Sequence, residues 1–279
     1  MGELNEFDNL YFEVCNEPYF GGVTQDWQYR IADTIVATEK GLPHKHLISL
    51  NVANGRKKVD TPYPAVSIFN FHYCVPPDTV ELNYGLNKVI GENETGFRGK
   101  DDFLYRSEGW DFLLAGGALY GSLDYSFTPS HPDGTLWDYR SPGGGSPSLR
   151  RQLGILKRFL EDFDFARMKP DCSTVRSVSG GVSARALVED GKAYAIYLHA
   201  PLPEHPKKTA ERPRDRVRTA LVVTLPAGPY LAEWINTTNG LVVGREQFKH
   251  RGGDKSLRSP EFTDDLALRI VRTPEGGAN

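Results

Sequence analysis

The residues best placed to do chemistry are glutamates at the ends of apolar runs. Leu10 to Pro18, LYFEVCNEP, sets Glu17 just beyond Tyr11, Phe12, Val14 and Cys15. That pattern reads as a short buried strand. Pro18 stops it, because proline cannot donate to a strand ladder. Asn87 to Glu94, NKVIGENE, ends in the same way, with Glu92 and Glu94 before Thr95-Gly96. These two share strand parity, so alternation does not choose between them. Between the two runs, Ala65 to Cys74, AVSIFNFHYC, ends in His72-Tyr73. In a (β/α) barrel, the carboxyl ends of buried strands are where chemistry sits. Two carboxyl groups facing each other there could work as a proton donor and a nucleophile.

The elements that must position these groups alternate along the chain. Residues 1–8 read as the end of a helix. Thr24 is a helix N-cap, Trp27, Ile31 and Ile35 repeat at helical spacing, and Gly41 and Pro43 stop the helix near Lys40. His46–Ala53 reads as a strand ending at Asn54-Gly55, and Arg56–Pro64 as a poorly structured link. After the Ala65–Cys74 strand, Pro77–Tyr84 allows a short helix. Asp101–Gly117 reads as a helix, and Ala118–Phe127 as a fifth strand that places Asp124 near its end. A Gly/Pro/Ser-rich loop, 128–145, follows. Ser146 then caps a helix that has Pro147 at its first position and Leu149, Leu153, Leu156, Phe159 and Phe163 on one face.

Strand–helix alternation of this kind implies parallel βαβ units. From about Val175 the texture changes. Ser183–Val188, Lys192–His199, Thr219–Leu225, Tyr230–Ile235, Leu241–Phe248 and Asp265–Val271 are short alternating runs separated by turn signals. They suggest an antiparallel sandwich. The expected division is therefore 1–173 and 174–279. The mixed-charge insert Glu204–Arg218 reads as a solvated loop rather than a nucleic-acid patch, and TPEGGAN as a disordered tail.

Composition narrows the function classes. The chain has 279 residues, with 39% apolar and 25% charged, which fits an ordinary globular protein. A net charge of −3 gives no reason to expect nucleic acid or a membrane surface as partner. No apolar run approaches the length of a membrane span, and MGELNEFDN shows no signal peptide. Cys15, Cys74 and Cys172 fit neither a disulfide scaffold nor a zinc site, and Cys15 and Cys74 read as small buried hydrophobes. The seven histidines form no metal-ligand pattern, and His44 and His46 read as part of a solvated loop. The reading calls for no cofactor and no metal. It leaves the oligomeric state open.

Taken jointly, Asn16-Glu17-Pro18 on one strand, His72-Tyr73 on the second next and Glu94-Thr95-Gly96 on the strand after form an ordered set. The set resembles clan A of the retaining glycoside hydrolases, which includes cellulases, mannanases and β-galactosidases. It covers roughly residues 9–165. The helix LRRQLGILKRFLEDFDFARMKPD and the runs after it resemble cellulase-like barrels with an appended β-sandwich, in some relatives labelled a collagen-binding domain. Leu231–Gly240, LAEWINTTNG, is similar to a strand and turn of that module. The resemblance implies strands four to eight of a TIM (β/α)8 barrel, followed by an antiparallel β-sandwich. It implies retaining hydrolysis of a β-linked oligo- or polysaccharide, with two carboxyl groups about 5–5.5 Å apart.

In that frame Glu17 is the acid, then the base. Glu94 is the nucleophile, because the clan shows Glu, one residue, then Gly there, and Glu92 is held in reserve. Asn16 is suited to the sugar 2-hydroxyl, and Tyr73 would hold the nucleophile. His72 contacts substrate or is a satisfied core histidine. Asn54 and Asp124 are weaker substrate contacts at strand ends. Tyr19 and Trp137 fit ordinary packing better than sugar platforms. Glu13 is structural and should pair with a group on an absent strand, since a buried carboxylate needs a partner.

A complete barrel takes about 250 residues, and the part before the sandwich is shorter. The chain is thus expected to begin inside a longer product, without strands one to three and an arginine the clan often uses near its nucleophile. Unpaired strand edges would then invite association. The parent family is expected outside the cytoplasm. The rival reading is a non-catalytic carbohydrate- or matrix-binding protein carrying a degenerate half-barrel. A peptidase is disfavoured, because no Ser/His/Asp or metal set is visible.

Overall fold

Five of the apolar runs become parallel strands: β1 (Tyr11–Glu13), β2 (Leu47–Asn54), β3 (Ile68–His72), β4 (Val89–Glu94) and β5 (Leu119–Tyr120). They pair in the order β1-β2-β3-β4-β5 in a computed structural model of the chain, which describes residues 1–202 and 216–274. Most of the charged insert, 204–215, and the end of the tail, 275–279, lie outside the described residues. The contacts divide the chain into two units, residues 1–95 with 116–121, and residues 96–115 with 122 onward.

The first unit carries the parallel sheet. Helix α1 (Gln25–Glu39) starts where expected, because Thr24 Oγ1 accepts the Trp27 N–H at 3.2 Å. Ala32 and Ile35 of α1 pack with Ile48, Phe12 and Val14. Every residue of β3 is buried, so it reads as a continuous apolar run broken only by Asn70 and His72. Helix α2 (Asp78–Asn83) is short, and residues 1–8 give only a 3-10 turn at Gly2–Leu4.

The expected architecture, strands four to eight of a (β/α)8 barrel followed by a sandwich, is corrected by this structure. The parallel sheet is a curled half-barrel of five strands, accompanied by antiparallel sheets. Only four α-helices form among the described residues, too few for five successive βα units of a barrel. The link from β2 to β3 has no helix. Pro62 and Pro64 explain part of this, since each pushes the residue before it out of the helical region. The fifth strand is two residues long, not ten, and its pairing with β4 ends at Glu92–Tyr120.

The second unit holds helices α3 (Asp102–Leu114) and α4 (Pro147–Glu161) and nine antiparallel strands among its described residues. Ser146 Oγ caps α4 by accepting the Leu149 N–H at 2.8 Å. The strands are β6 (Lys169–Pro170), β7 (Val175–Val178), β8 (Ser183–Glu189), β9 (Ala193–His199), β10 (Ala220–Leu225), β11 (Gly228–Ile235), β12 (Val242–His250), β13 (Gly253–Arg258) and β14 (Asp265–Arg272). One sheet has the order β13-β10-β7, the other β12-β11-β14-β9-β8-β6. Leu221 and Val223 of the first share an apolar core with Tyr194, Ile196 and Leu268 of the second. On the outer face of the larger sheet, Trp110 of α3 stacks on Tyr197, with ring centroids 5.2 Å apart. Beside them the buried Arg106 makes a two-pronged pair with Asp265, at 2.9 and 2.7 Å.

Candidate active site

Parallel pairing brings the C-terminal ends of β1, β3 and β4 to one edge of the first unit's sheet. Glu17 lies four residues past β1, and its backbone N–H donates to Asn51 Oδ1 at 3.1 Å. Its φ is 42°, in the left-handed region that non-glycine residues enter only at a cost. Tyr73, immediately after β3, has φ 55°. Both residues lie beyond the ends of their strands.

The three groups that result are close. Glu17 Oε1 is 3.0 Å from His72 Nδ1, and Glu94 Oε1 is 3.8 Å from the same nitrogen. All three ligand-capable atoms lie within 4.8 Å of one another. The imidazole is 1% exposed, while the two carboxylates are 24% and 21% exposed. A ligand can therefore reach both acids over a ring that is itself sealed. The Tyr73 hydroxyl donates to Glu94 Oε1 at 2.7 Å, which orients that carboxylate. Glu92, the reserve nucleophile, is fully buried, and its Oε1 accepts the Cys74 N–H at 2.6 Å.

The other expected positions are scattered. The Tyr19 hydroxyl donates to Asn54 Oδ1 at 2.5 Å, beside the acids. Burial, then the charges of Glu17 and Glu94, push that hydroxyl's pKa up. Asn16 is exposed. Asp124 is not at a strand end. It belongs to the second unit, where Arg150 Nη1 at 2.6 Å and Ser126 hold its carboxylate. Trp137, expected to pack, is 83% exposed. His46, expected in a solvated loop, is buried between Glu39 and the Phe7 carbonyl.

Glu13 needs no absent strand. Its Oε2 accepts from Asn70 Nδ2 at 2.5 Å, Asn93 Nδ2 at 2.9 Å and Ser49 Oγ at 3.1 Å, one donor from each of β3, β4 and β2. These donors, and Asn51, were missed in the sequence. The signal was present: Ser49 and Asn51 share parity in ISLNV, and Asn70 and His72 share it in IFNFH. Polar residues at every second position of an apolar strand mark one polar face.

Glu17, His72 and Glu94 are also the group among the described residues whose spacing could hold a metal ion. A mixed imidazole and carboxylate set would suit zinc or manganese. Among the described residues no helix is long and apolar enough to cross a membrane.

No family model and no curated protein matches the chain. Solved structures do. One titled a glycoside hydrolase aligns with 97% of the chain and 66% of its own length, with a TM-score of 0.69 and 14% identity. A glycoside hydrolase family 5 structure from Bacteroides vulgatus ATCC 8482 aligns with 90% of the chain and 60% of its own length, with a TM-score of 0.62 and 14% identity. The chain shares their fold and spans somewhat under two thirds of their length.

Proposed function

We propose that the chain is the catalytic part of a retaining glycoside hydrolase acting on a β-linked glycan. The observation that carries this reading is the carboxyl separation. Glu17 and Glu94 offer oxygens within 4.8 Å of each other. Retaining enzymes hold their pair about 5–5.5 Å apart, and inverting enzymes about 6.5–9.5 Å, to leave room for a water. The fold shared with glycoside hydrolases supports the same reading.

In the first step a Glu94 oxygen attacks the anomeric carbon. The bond to the leaving oxygen breaks, and Glu17 gives that oxygen its proton. In the second step Glu17 takes a proton from water. The water oxygen attacks the same carbon and releases Glu94. Glu94 is the better nucleophile candidate than Glu92, because it reaches the open edge while Glu92 is spent on the Cys74 N–H. Tyr73 positions Glu94, and His72 positions Glu17. Asn54 and Asn16 are available to sugar hydroxyls.

A 2-deoxy-2-fluoro aryl β-glycoside tests the assignment. It should leave a sugar covalently attached to Glu94, located by mass spectrometry of the digested protein. Label on Glu92 would move the nucleophile. Turnover of ordinary aryl β-glycosides with inversion at the anomeric carbon, followed by NMR, would overturn the mechanism.

A further inference from the structure

Tyr19 stands two residues past Glu17 on one tight turn. The Phe20 N–H donates to the Glu17 carbonyl at 3.0 Å, and the Val23 N–H to the Pro18 carbonyl at 3.1 Å. The Glu17 N–H is anchored on Asn51 Oδ1, so both side chains leave a backbone held by hydrogen bonds. The Tyr19 hydroxyl crosses to the next strand and donates to Asn54 Oδ1 at 2.5 Å. Asn54 ends β2 opposite His72 of β3, which is itself opposite Glu94 of β4. Tyr19 therefore bridges the turn that carries Glu17 and the row that ends in Glu94.

The same hydroxyl is within hydrogen-bonding reach of the Glu17 carboxylate. It has two acceptors and one proton to offer. Asn54 is neutral throughout, whereas Glu17 alternates between carboxylic acid and carboxylate during the proposed reaction. A hydrogen bond to an ionised acceptor is about twice as strong as one to a neutral group. The proton thus belongs on Asn54 while Glu17 is protonated, and on Glu17 once it is ionised. Burial, then the charges of Glu17 and Glu94, hold the phenol in its protonated form, so Tyr19 stays a donor.

We propose that Tyr19 is a positioning residue for the acid step: its hydroxyl rests on Asn54 while Glu17 holds its proton, and turns to Glu17 as that proton passes to the leaving oxygen. No proton leaves Tyr19. What forms is a hydrogen bond to the new carboxylate, which lowers the barrier where negative charge develops. The inference rests on reading Glu17 as the acid of a glycosidase pair.

The test is leaving-group dependence. A phenolate leaves a sugar only with help from an acid, whereas 2,4-dinitrophenolate leaves without it. The full chain is assayed on phenyl and 2,4-dinitrophenyl β-glycosides of one sugar, chosen from glucose, xylose, galactose and mannose by the parent chain's own turnover. Tyr19→Phe should lower kcat/KM for the phenyl glycoside about tenfold and leave the dinitrophenyl glycoside unchanged. Glu17→Ala should show the same pattern more strongly. A loss on the dinitrophenyl glycoside as large as that on the phenyl one, as misfolding would give, overturns the inference alone, and so does no loss on either. A parent chain that hydrolyses neither glycoside, or a Glu17→Ala variant that loses nothing on the phenyl glycoside, sinks the glycosidase pair itself and this inference with it.

Discussion

Glu17 and His72 are 55 residues apart in sequence, yet Glu17 Oε1 and His72 Nδ1 are 3.0 Å apart at the edge of the parallel sheet. The ring is 1% exposed, so it cannot turn away to water. It fixes where the Glu17 carboxyl points. Removing it in His72→Ala should lower kcat by roughly tenfold or more, the worth of one hydrogen bond to a charged group. KM should change little, since the ring is sealed from substrate. Steady-state kinetics on an aryl β-glycoside measure both, and a change confined to KM would make His72 a substrate contact instead.

Tyr73→Phe removes the hydroxyl that donates to Glu94 Oε1 at 2.7 Å. The freed carboxylate is less well aimed at the anomeric carbon. A fall in kcat of roughly tenfold is expected, with the thermal midpoint nearly unchanged. Unaltered kcat would show that Glu94 keeps its place without the hydroxyl.

Gly91 is a packing constraint rather than a turn. A Cβ there would lie 2.0 Å from Asn70 Oδ1 and 3.2 Å from Leu119 Cδ2. Asn70 is fully buried and donates to Glu13, so it has nowhere to retreat. Gly91→Ala should cost about 1–3 kcal/mol, the range for overpacking. The urea midpoint reads this directly, and a midpoint equal to that of the parent chain would disprove it.

In the second unit, His199 Nε2 is 3.2 Å from Asp111 Oδ2, and both side chains are nearly buried. Burial pulls the His199 pKa down, but the hydrogen bond and charge of Asp111 outweigh it, and the net shift is upward. The folded state therefore holds the proton more tightly than the unfolded one. Its contribution to stability is full below the unfolded value of about 6.5 and is lost as pH rises through the raised folded value. Urea midpoints measured from pH 6 upward should fall over that window. His199→Gln should flatten the fall, and an identical slope in parent and variant would contradict the linkage.

Local sequence determined a good deal. Thr24 and Ser146 cap their helices because each hydroxyl meets an N–H three residues on. Apolar runs at 46–53, 65–74 and 87–94 became strands near the expected bounds, as alternation and burial require. The ends of those runs also named Glu17, His72, Tyr73 and Glu94 as groups to watch.

Tertiary structure decided the rest. That the link from β2 to β3 lacks a helix, and that β5 stops at Tyr120, set a curled five-stranded sheet in place of the expected strands four to eight of a (β/α)8 barrel. The same early stop put Asp124 with Arg150 rather than at a strand end. Glu13 found Ser49, Asn70 and Asn93 only because neighbouring strands pair in one register. Hydrogen bonds and charges act over a few ångströms of space. Sequence pattern reports which way a side chain leaves its own strand, and register across strands decides what it meets.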